Sequence, residues 1–479
     1  MSTAAMPIHA GPSEGTFLGH PKGLFILFLT EMWERFSYYG MRSLLVLYMV
    51  NYLFIRPDVG ARVLGFNAVR GLYESLFHAS FAAQPLSSWV YGLYTGFVYF
   101  TPFFGGLLAD RILGQRRTVV VGGTLMAIGH FMMASERLFF PALFCLILGN
   151  GCFKPNISTQ VGLLYPPGDK RRDSAFSIFY VGINIGAFLA PLVCGTLGQR
   201  VGWHWGFGAA GVGMVLGLIF YLMNQKYLAQ DVLAQRRAEV APVKQKMTRE
   251  EWLRVGVIII ACAIVASFWA VYEQQGNTLQ LWADQNTRWV FFGITIPSTW
   301  YQAFNPFMIF LFTPVLTSLW GWQRARNQEP TSLTKMAMGC VLLGLGFIIM
   351  IVAANGLPAA DAKRSIMWLV ASTVVYTFGE LYLSPIGLSF VTKVAPVRIV
   401  SMMMGVWFLA NFIGNYMTGY LGTFYEKIPH AQFFTLMTTI AVVAGLVLFA
   451  IGRPLDKIVS KHDSHQAPTE AEKVPVVAV

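Results

Sequence analysis

The segment EMWERFSYYG, from Glu31 to Gly40, places two carboxylates and an arginine in a run that is otherwise apolar. A charge at the centre of a bilayer costs at least about 2.5–3.5 kcal/mol, so such residues usually face a protein-lined cavity. With 3.6 residues per helical turn, five polar side chains in this segment and just beyond it share about 100° of arc. They are Glu31, Glu34, Arg35, Tyr38 and Arg42. This stripe predicts a path for an ion or a substrate.

A static ion pair that joins two helices would also place charge inside a membrane. One pair needs a single acid and a single base, whereas the stripe carries two acids, two bases and a tyrosine. The stripe therefore favours a cavity over a structural ion pair.

Two further carboxylates, Glu273 and Glu380, lie in other apolar segments. Burial disfavours the charged form of a carboxyl group and a nearby cation favours it. A glutamate that gains or loses a cationic partner during a conformational change can therefore bind and release a proton. These carboxylates indicate coupling to protons, and the sequence shows no evident sodium site.

Lys154 lies in the apolar stretch GNGCFKPNISTQVG, directly before Pro155. The proline ring would clash with the carbonyl four residues earlier, and Gly151 at that position eases the fit. Lys154 lies too far from the nearest helix end to extend its ammonium into water. We expect this ammonium to face the interior.

The second half of the chain has comparable positions. Trp269 and Glu273 are four residues apart, as are Glu380 and Ser384, so each pair shares a helix face. Trp407 lies in MGVWFLANFIGN, where a packing role and a place in a substrate pocket both remain open.

The elements that carry these residues are predicted to be membrane helices. The chain has 479 residues, of which 55% are apolar and 12% charged, whereas about 25% is usual in soluble proteins. A membrane helix needs about 20 mostly apolar residues. The candidates are 24–51, 86–109, 117–135, 138–164, 174–199, 204–223, 253–275, 298–321, 333–354, 366–392, 399–424 and 432–452. The sequence thus predicts an all-α membrane protein with twelve transmembrane helices.

The distribution of basic residues predicts the orientation of these helices. Most of the 35 Lys and Arg residues fall in the two tails and in alternate loops, which places that side in the cytoplasm. These cytoplasmic basic residues account for the net charge of +12, so the charge does not indicate binding to a nucleic acid. The first 15 residues lack the basic start of a secretory signal, so we expect an uncleaved cytoplasmic tail.

The one long polar interruption divides the predicted spans six and six. The expected parts are a tail (1–22), a six-helix bundle (23–223), a cytoplasmic linker (224–252), a second bundle (253–455) and a disordered cytoplasmic tail (456–479). Two six-helix halves that rock about a central site are the plan of the major facilitator fold. The turn GGLLADRILGQRRT is similar to the loop signature of that superfamily. The 52–85 segment predicts an amphipathic surface helix, to which we assign no function.

Four motifs resemble the proton-dependent oligopeptide transporter family, also called POT or PTR. EMWERFSYYG is similar to the family pattern E-x-x-E-R-F-x-Y-Y-G, and FYVGINIGAFLAP to its fifth-helix motif. GNGCFKPNIS and GELYLSP look like the motifs of the fourth and tenth helices. The resemblance covers the chain from the first span to the last. It implies a bacterial symporter of di- and tripeptides in the inner membrane, with protons as coupling ion and no cofactor.

The resemblance also implies a role for individual residues. Arg35 and Lys154 would bind the peptide carboxylate, and Glu380 the amino terminus. The remaining substrate contacts would come from Tyr38, Tyr39, Tyr99, Asn184, Trp269, Asn305, Ser384 and Trp407. Proton coupling would use Glu31, Glu34, Arg35, Glu273 and Glu380. The pair Arg42 and Glu273 would close the extracellular gate, and Lys154 with Glu380 the cytoplasmic gate.

The sequence departs from the family in two respects. Animal members carry a histidine in the second span, and this span has none. Many bacterial members insert two helices between the halves, for which the 224–252 linker is too short and too polar.

Alternative functions remain open at this point. A carrier of another small anion, such as nitrate, or of a peptide-like compound would share the fold, although nitrate needs no acidic pole. A membrane-embedded enzyme is disfavoured because no metal-ligand spacing and no nucleophile with a base stands out. A sensor without transport activity stays possible, and a monomer is the expected functional unit.

Overall fold

The computed structural model describes residues 15–166, 169, 171–229, 247–291, 293–355, 363–396 and 399–466. Twelve long helices run through these residues. They are α1 (Lys22–Tyr48), α2 (Ala83–Phe100), α3 (Gln115–Met132), α4 (Phe139–Leu163), α5 (Arg171–Arg200), α6 (Trp203–Met223), α7 (Arg249–Tyr272), α8 (Tyr301–Ala325), α9 (Ser332–Asn355), α10 (Met367–Val394), α11 (Val400–Gly422) and α12 (His430–Gln466).

Short elements connect these helices. The short helical segments are Met49–Leu53, Val59–Arg62, Phe66–Phe77, Pro102–Leu108, Ala109–Leu113, Glu136–Leu138, Gln225–Tyr227, Glu273–Gly276, Thr278–Asn286 and Ser298–Trp300. Three two-stranded pairs are Thr16–Phe17 with His20–Pro21, Thr287–Arg288 with Arg364–Ser365, and Val290–Phe291 with Ile294–Thr295. The Phe66–Phe77 helix confirms the surface helix expected in the 52–85 segment.

Eight helical segments among the described residues are long and apolar enough to cross a membrane. Helix α1 is not among these eight segments because of its charged stripe, although α1 packs at the centre of the N-terminal half. Large apolar side chains such as Phe144, Phe310 and Leu446 are exposed on the outer faces of the helices. A bilayer is the environment in which such a surface is stable.

Glycines let the helices approach each other closely. A Cβ atom at Gly92 of α2 would lie 2.5 Å from the Cα atom of Gly419 in α11. After α2, a Cβ atom at Gly105 would lie 2.0 Å from the carbonyl oxygen of Gly151. Gly151, expected to ease the Pro155 kink in α4, therefore also serves as a contact point for the residues after α2. Small residues at helix contacts are typical of membrane bundles.

The N-terminal half (α1–α6) and the C-terminal half (α7–α12) are joined at one end of the bundle. This gate end is where α1 and α5 finish and α2 begins. The Gln199 amide donates to Ser298 Oγ at 2.8 Å, and the Ser88 hydroxyl donates to Asn277 Oδ1 at 2.9 Å. The Gln84 amide donates to the Gly422 carbonyl at 2.9 Å. The halves are therefore held together at the gate end.

One boundary of the expected parts differs in the structure, and parts of others lie outside the described residues. Helix α12 continues to Gln466, into the segment that was expected to be a disordered tail from residue 456. A helix can continue past its apolar part because its backbone stays hydrogen-bonded internally. Most of the expected linker (230–246), the first tail (1–14), the loop at 356–362 and the last residues (467–479) lie outside the described residues.

Candidate functional site

A cavity of about 280 Å³ lies between the two halves. Side chains of both halves line it, and many of them are charged or hydrogen-bonding. From the N-terminal half these are Glu31, Arg35, Tyr39, Arg42, Tyr99, Lys154, Ser158, Tyr180, Ile183, Asn184 and Ala187. From the C-terminal half they are Trp269, Tyr272, Glu273, Gln275, Gln302, Asn305, Pro306, Ile309, Glu380 and Ser384.

On α1, one guanidinium is shared by two carboxylates. Arg35 Nε lies 3.1 Å from Glu31 Oε1 and 2.5 Å from Glu34 Oε2, and all three side chains are buried. The Asn150 amide of α4 donates to Glu34 Oε1 at 3.3 Å. Two carboxylates and one cation leave a net negative charge, and an uncompensated charge is costly in a buried site. The triad can therefore take up one proton.

At the gate end, Arg42 of α1 forms an ion pair with Glu273, which directly follows α7. The Arg42 Nε–H also donates to the Tyr91 hydroxyl oxygen at 2.8 Å. A Cβ atom at Gly276 would lie 2.0 Å from that hydroxyl oxygen, so only glycine fits beside this pair. The ion pair implied for the extracellular gate is therefore formed, and it connects the two halves.

The ion pair implied for the other gate is not formed in this conformation. Lys154 Nζ lies 4.4 Å from the ring centroid of Tyr99 and makes no ion pair with another described residue. Glu380 instead accepts a hydrogen bond from the Asn305 amide at 2.9 Å. The two charges face the cavity from opposite halves, so pairing between them stays a prediction for a second conformation.

The cavity presents cations from one half and a carboxylate from the other, and the charge of Arg35 is offset by Glu31 and Glu34. Arg35 and Lys154 belong to α1 and α4, whereas Glu380 belongs to α10. Asn184 of α5 and Asn305 of α8 contribute amides between these poles. This arrangement suits a molecule that carries opposite charges at its two ends.

Three of the expected site residues lie away from the cavity wall. Glu34 and Tyr38 lie at one edge of the predicted stripe and are buried against protein, because the strip of α1 that faces the cavity is narrower than 100° of arc. Trp407 packs on α10, where a Cβ atom at Gly387 would lie 2.1 Å from its ring. For Trp407, the structure thus favours the packing interpretation.

Several lining residues were not singled out from the sequence. They are Ser158, Tyr180, Ile183, Ala187, Tyr272, Gln275, Gln302, Pro306 and Ile309. Tyr180 and Ala187 lie four and three residues from Asn184, which is the spacing of one helix face, and Ile183 lies three and four residues from those two. Ser158 likewise follows Lys154 by four residues. Helical spacing from the predicted site residues was the signal that could have found them.

Among the described residues, no group of three or more His, Cys, Asp or Glu side chains could hold a metal ion.

Sequence comparison places the chain among membrane transporters. The family model "PTR2: POT family" matches residues 116–239 and 229–443. The uncharacterized transporter YclF of Bacillus subtilis is 34% identical, over 93% of this chain and 96% of that protein. The peptide transporter YePEPT of Yersinia enterocolitica is 35% identical over 86% and 89% of the two chains. A di-/tripeptide transporter of Lactococcus lactis subsp. cremoris is 32% identical over 93% and 98%.

Solved structures agree with this comparison. A mutant of the peptide transporter POT in complex with alafosfalin superposes with a TM-score of 0.80 at 34% identity, covering 94% of this chain and 98% of that one. A POT family transporter in complex with 5-aminolevulinic acid gives a TM-score of 0.78 at 27% identity, over 93% and 99%. Together with the twelve helices described above, these matches confirm the predicted major facilitator fold.

Proposed function

Because the chain belongs to the POT family of membrane transporters, we propose that it is a proton-coupled symporter that imports di- and tripeptides by alternating access. The observation that carries this proposal is the pair of opposite poles in the cavity. Arg35 and Lys154 face it from the N-terminal half, and Glu380 faces it from the C-terminal half.

The charge distribution fits a free peptide of any sequence. A zwitterionic peptide always carries a carboxylate at one end and an ammonium at the other. Cations on one half and an acid on the other recognise these ends and leave the side chains free to vary. The peptide then draws the two halves together, which couples binding to rocking of the halves about the site.

The proposed substrate contacts follow from the cavity wall. Arg35 and Lys154 bind the carboxylate, and Glu380 binds the ammonium. Polar and aromatic neighbours complete the site, namely Tyr39, Tyr99, Asn184, Trp269, Asn305 and Ser384. Tyr38 and Trp407 support this wall from behind rather than touching the peptide.

Proton coupling is assigned to the buried carboxylates. Glu31 and Glu34 compete for Arg35, so a proton on either one releases the guanidinium for the peptide carboxylate. Glu273 holds Arg42 while the gate end is closed, and a proton on Glu273 weakens that pair. Glu380 exchanges between Asn305, the substrate ammonium and Lys154 during the cycle.

The orientation is proposed from the basic loops. Arginines follow the end of α2 (Arg111, Arg116 and Arg117) and begin α5 (Arg171 and Arg172), so that side faces the cytoplasm and the gate end faces outward. Both termini are then cytoplasmic, and the membrane is the inner membrane of a bacterium. The protein functions as a monomer in this proposal. The relatives named as di-/tripeptide transporters support the substrate class.

Counterflow in proteoliposomes tests the substrate class without a proton gradient. Vesicles loaded with unlabelled dialanine should exchange it for external labelled dialanine, and external trialanine should compete. Nitrate and free alanine should not compete, because neither presents both poles at the spacing of a peptide. Competition by nitrate at the level of trialanine would instead favour the anion carrier and contradict the peptide assignment.

A further inference from the structure

An apolar groove lies at the seam between the two halves, away from the gate end. This seam groove has a volume of about 410 Å³. Phe100 of α2 and Phe103 just beyond it form one wall, and Met402, Phe408 and Leu409 of α11 form the other. Pro155 of α4 closes the groove toward the protein interior.

The groove exists because α2 and α11 touch at one level and separate at another. Their backbones meet at Gly92 and Gly419, where neither residue has room for a Cβ atom. Toward the end of α2, the rings of Phe97 and Phe412 still pack with centroids 5.5 Å apart. Beyond Phe412, toward Met402, the groove lies between the two helices.

The groove opens onto the surface that faces the bilayer. Phe103 is 61% exposed and Met402 is 58% exposed, although both are large and apolar. Among the described lining residues, Tyr99 alone carries a polar side-chain atom. A water molecule in such a space would have too few hydrogen-bonding partners. A hydrocarbon chain there would cover the apolar side chains of the groove. The surroundings of the groove therefore supply its occupant.

We propose that the seam groove binds an acyl chain of a phospholipid from the surrounding bilayer. The groove is continuous with the lipid-facing surface of α2 and α11, so a chain enters sideways without leaving the hydrocarbon region. The inner end of the chain lies against Tyr99, whose ring also contacts the Lys154 ammonium. One tyrosine thus separates the lipid from the central cavity.

A bound chain would favour the conformation in which the gate end is closed. When the halves rock and the opposite end closes, α2 and α11 must approach each other in the region of the groove. The chain must leave at that step, so lipid and closure of this end exclude each other. The lipid site is distinct from peptide binding and does not depend on which substrate the cavity takes.

Photocrosslinking tests the site on the whole protein in lipid nanodiscs. The probe is phosphatidylethanolamine with a diazirine on one acyl chain, and the labelled residues are identified by peptide mass spectrometry. We expect labelling at residues 99–109 and 402–409 severalfold above that of other lipid-facing segments. Equal labelling of all lipid-facing segments would overturn the proposal, and this comparison needs no variant.

Gly405 offers a substitution that fills the groove. It lines the groove, and a Cβ atom there would meet no other atom within 4 Å, so the side chain of G405L begins in open space. G405L should reduce the labelling of the two groove segments severalfold and leave other segments unchanged. The matched control is G256L on α7, where a Cβ atom also meets nothing within 4 Å. Unchanged groove labelling in G405L would contradict the assignment.

Two other occupants are distinguished by the same method. A dialanine analogue with a photoreactive side chain should label the cavity but not residues 402–409. Labelling of the groove by that peptide would show a substrate pocket and overturn the lipid assignment. A crosslinked dimer through the groove would show a second copy of the chain and would overturn it as well.

Discussion

The charged side chains of the cavity and the gate share a small number of partners. Arg35 lies between Glu31 and Glu34, and Arg42 spans the two halves to Glu273. Lys154 and Glu380 lack a common partner in this conformation. Each carboxylate can thus exchange a cation for a proton or a substrate group, which is the elementary step that symport requires.

Neutralising Glu34 should separate proton coupling from peptide exchange. Glu34 is fully buried and lies off the cavity wall, so E34Q removes a charge without removing a peptide contact. We expect proton-driven uptake to be lost and dialanine counterflow to persist. The control is E74Q, at a partly exposed glutamate on the Phe66–Phe77 helix. If counterflow fell together with driven uptake in E34Q, a purely coupling role would be refuted.

Removing the Lys154 ammonium should affect free peptides more than carboxy-amidated ones. A hydrogen bond to a charged group contributes about 1.5–3 kcal/mol, so K154A should raise the KM for dialanine by about tenfold to a hundredfold. The KM for dialanine amide should change little, because the amide carries no negative charge.

The matched control for K154A is K427A, a lysine outside the cavity. Uptake of both peptides is measured under the same gradient. Equal losses for the free and the amidated peptide would argue against contact between Lys154 and the carboxylate.

The residues of the site were largely predictable from the sequence. Charged side chains inside apolar helices are expensive, and this cost makes them stand out. Glu34 and Tyr38 belong to the predicted stripe but lie off the cavity wall, because the helical period gives the side of a helix and not the width of the strip that is open. The pocket role of Trp407 was implied by the family resemblance alone, and its sequence context left a packing role open. Tyr180 and Gln302 were missed because tyrosine and glutamine are common at many positions in a bundle.

At the scale of elements, the contact between α2 and α11 decides how the halves can move. Gly92 and Gly419 bring the two backbones together near the gate end, and hydrogen bonds at Gln84 and Ser88 hold this end closed. The crossing point lies between the closed gate end and the open seam groove. It is therefore suited to act as a pivot for rocking of the halves.

A side chain at the pivot should impair both stability and transport. In G92V the added atoms would collide with the backbone of Gly419, and overpacking of this kind costs about 1–3 kcal/mol. We expect a lower midpoint of thermal unfolding in detergent and a severalfold lower rate of counterflow. G71V is the control, because a Cβ atom at Gly71 meets nothing within 4 Å. Normal counterflow in G92V would show that the close contact is dispensable.

The elements themselves were predictable to different degrees. The twelve helices were expected from long, mostly apolar segments of the sequence, although only eight helical segments among the described residues are long and apolar enough to cross a membrane. The backbone contact at Gly92 could not be predicted, because a glycine in a membrane helix does not reveal its partner. The helical continuation of α12 to Gln466 was missed because its polar composition resembles that of a disordered tail.

At the scale of the whole molecule, the conformation is closed at the gate end and lacks the ion pair implied for the opposite gate. Alternating access requires a second state in which Arg42 and Glu273 separate. Both side chains are nearly buried, so breaking the pair without a proton or a new partner is costly. In the proposed mechanism, a proton on Glu273 therefore lowers the cost of opening the gate end.

Neutralising Glu273 should populate the state that is open at the gate end. Spin labels at V201C and M367C, both exposed near this end on opposite halves, report the separation on a background without native cysteines. E273Q should increase the long-distance population relative to the unsubstituted gate. E250Q at the start of α7 is the control, and identical distance distributions in E273Q and E250Q would contradict the gate assignment.

The most direct test of the account is proton-driven accumulation of a peptide. Purified protein in proteoliposomes is given labelled dialanine outside and an inward proton gradient. We expect accumulation above the external concentration, its collapse with a protonophore, and no accumulation in vesicles without protein. Uptake that only equilibrates dialanine, at the same rate with and without the gradient, would contradict it.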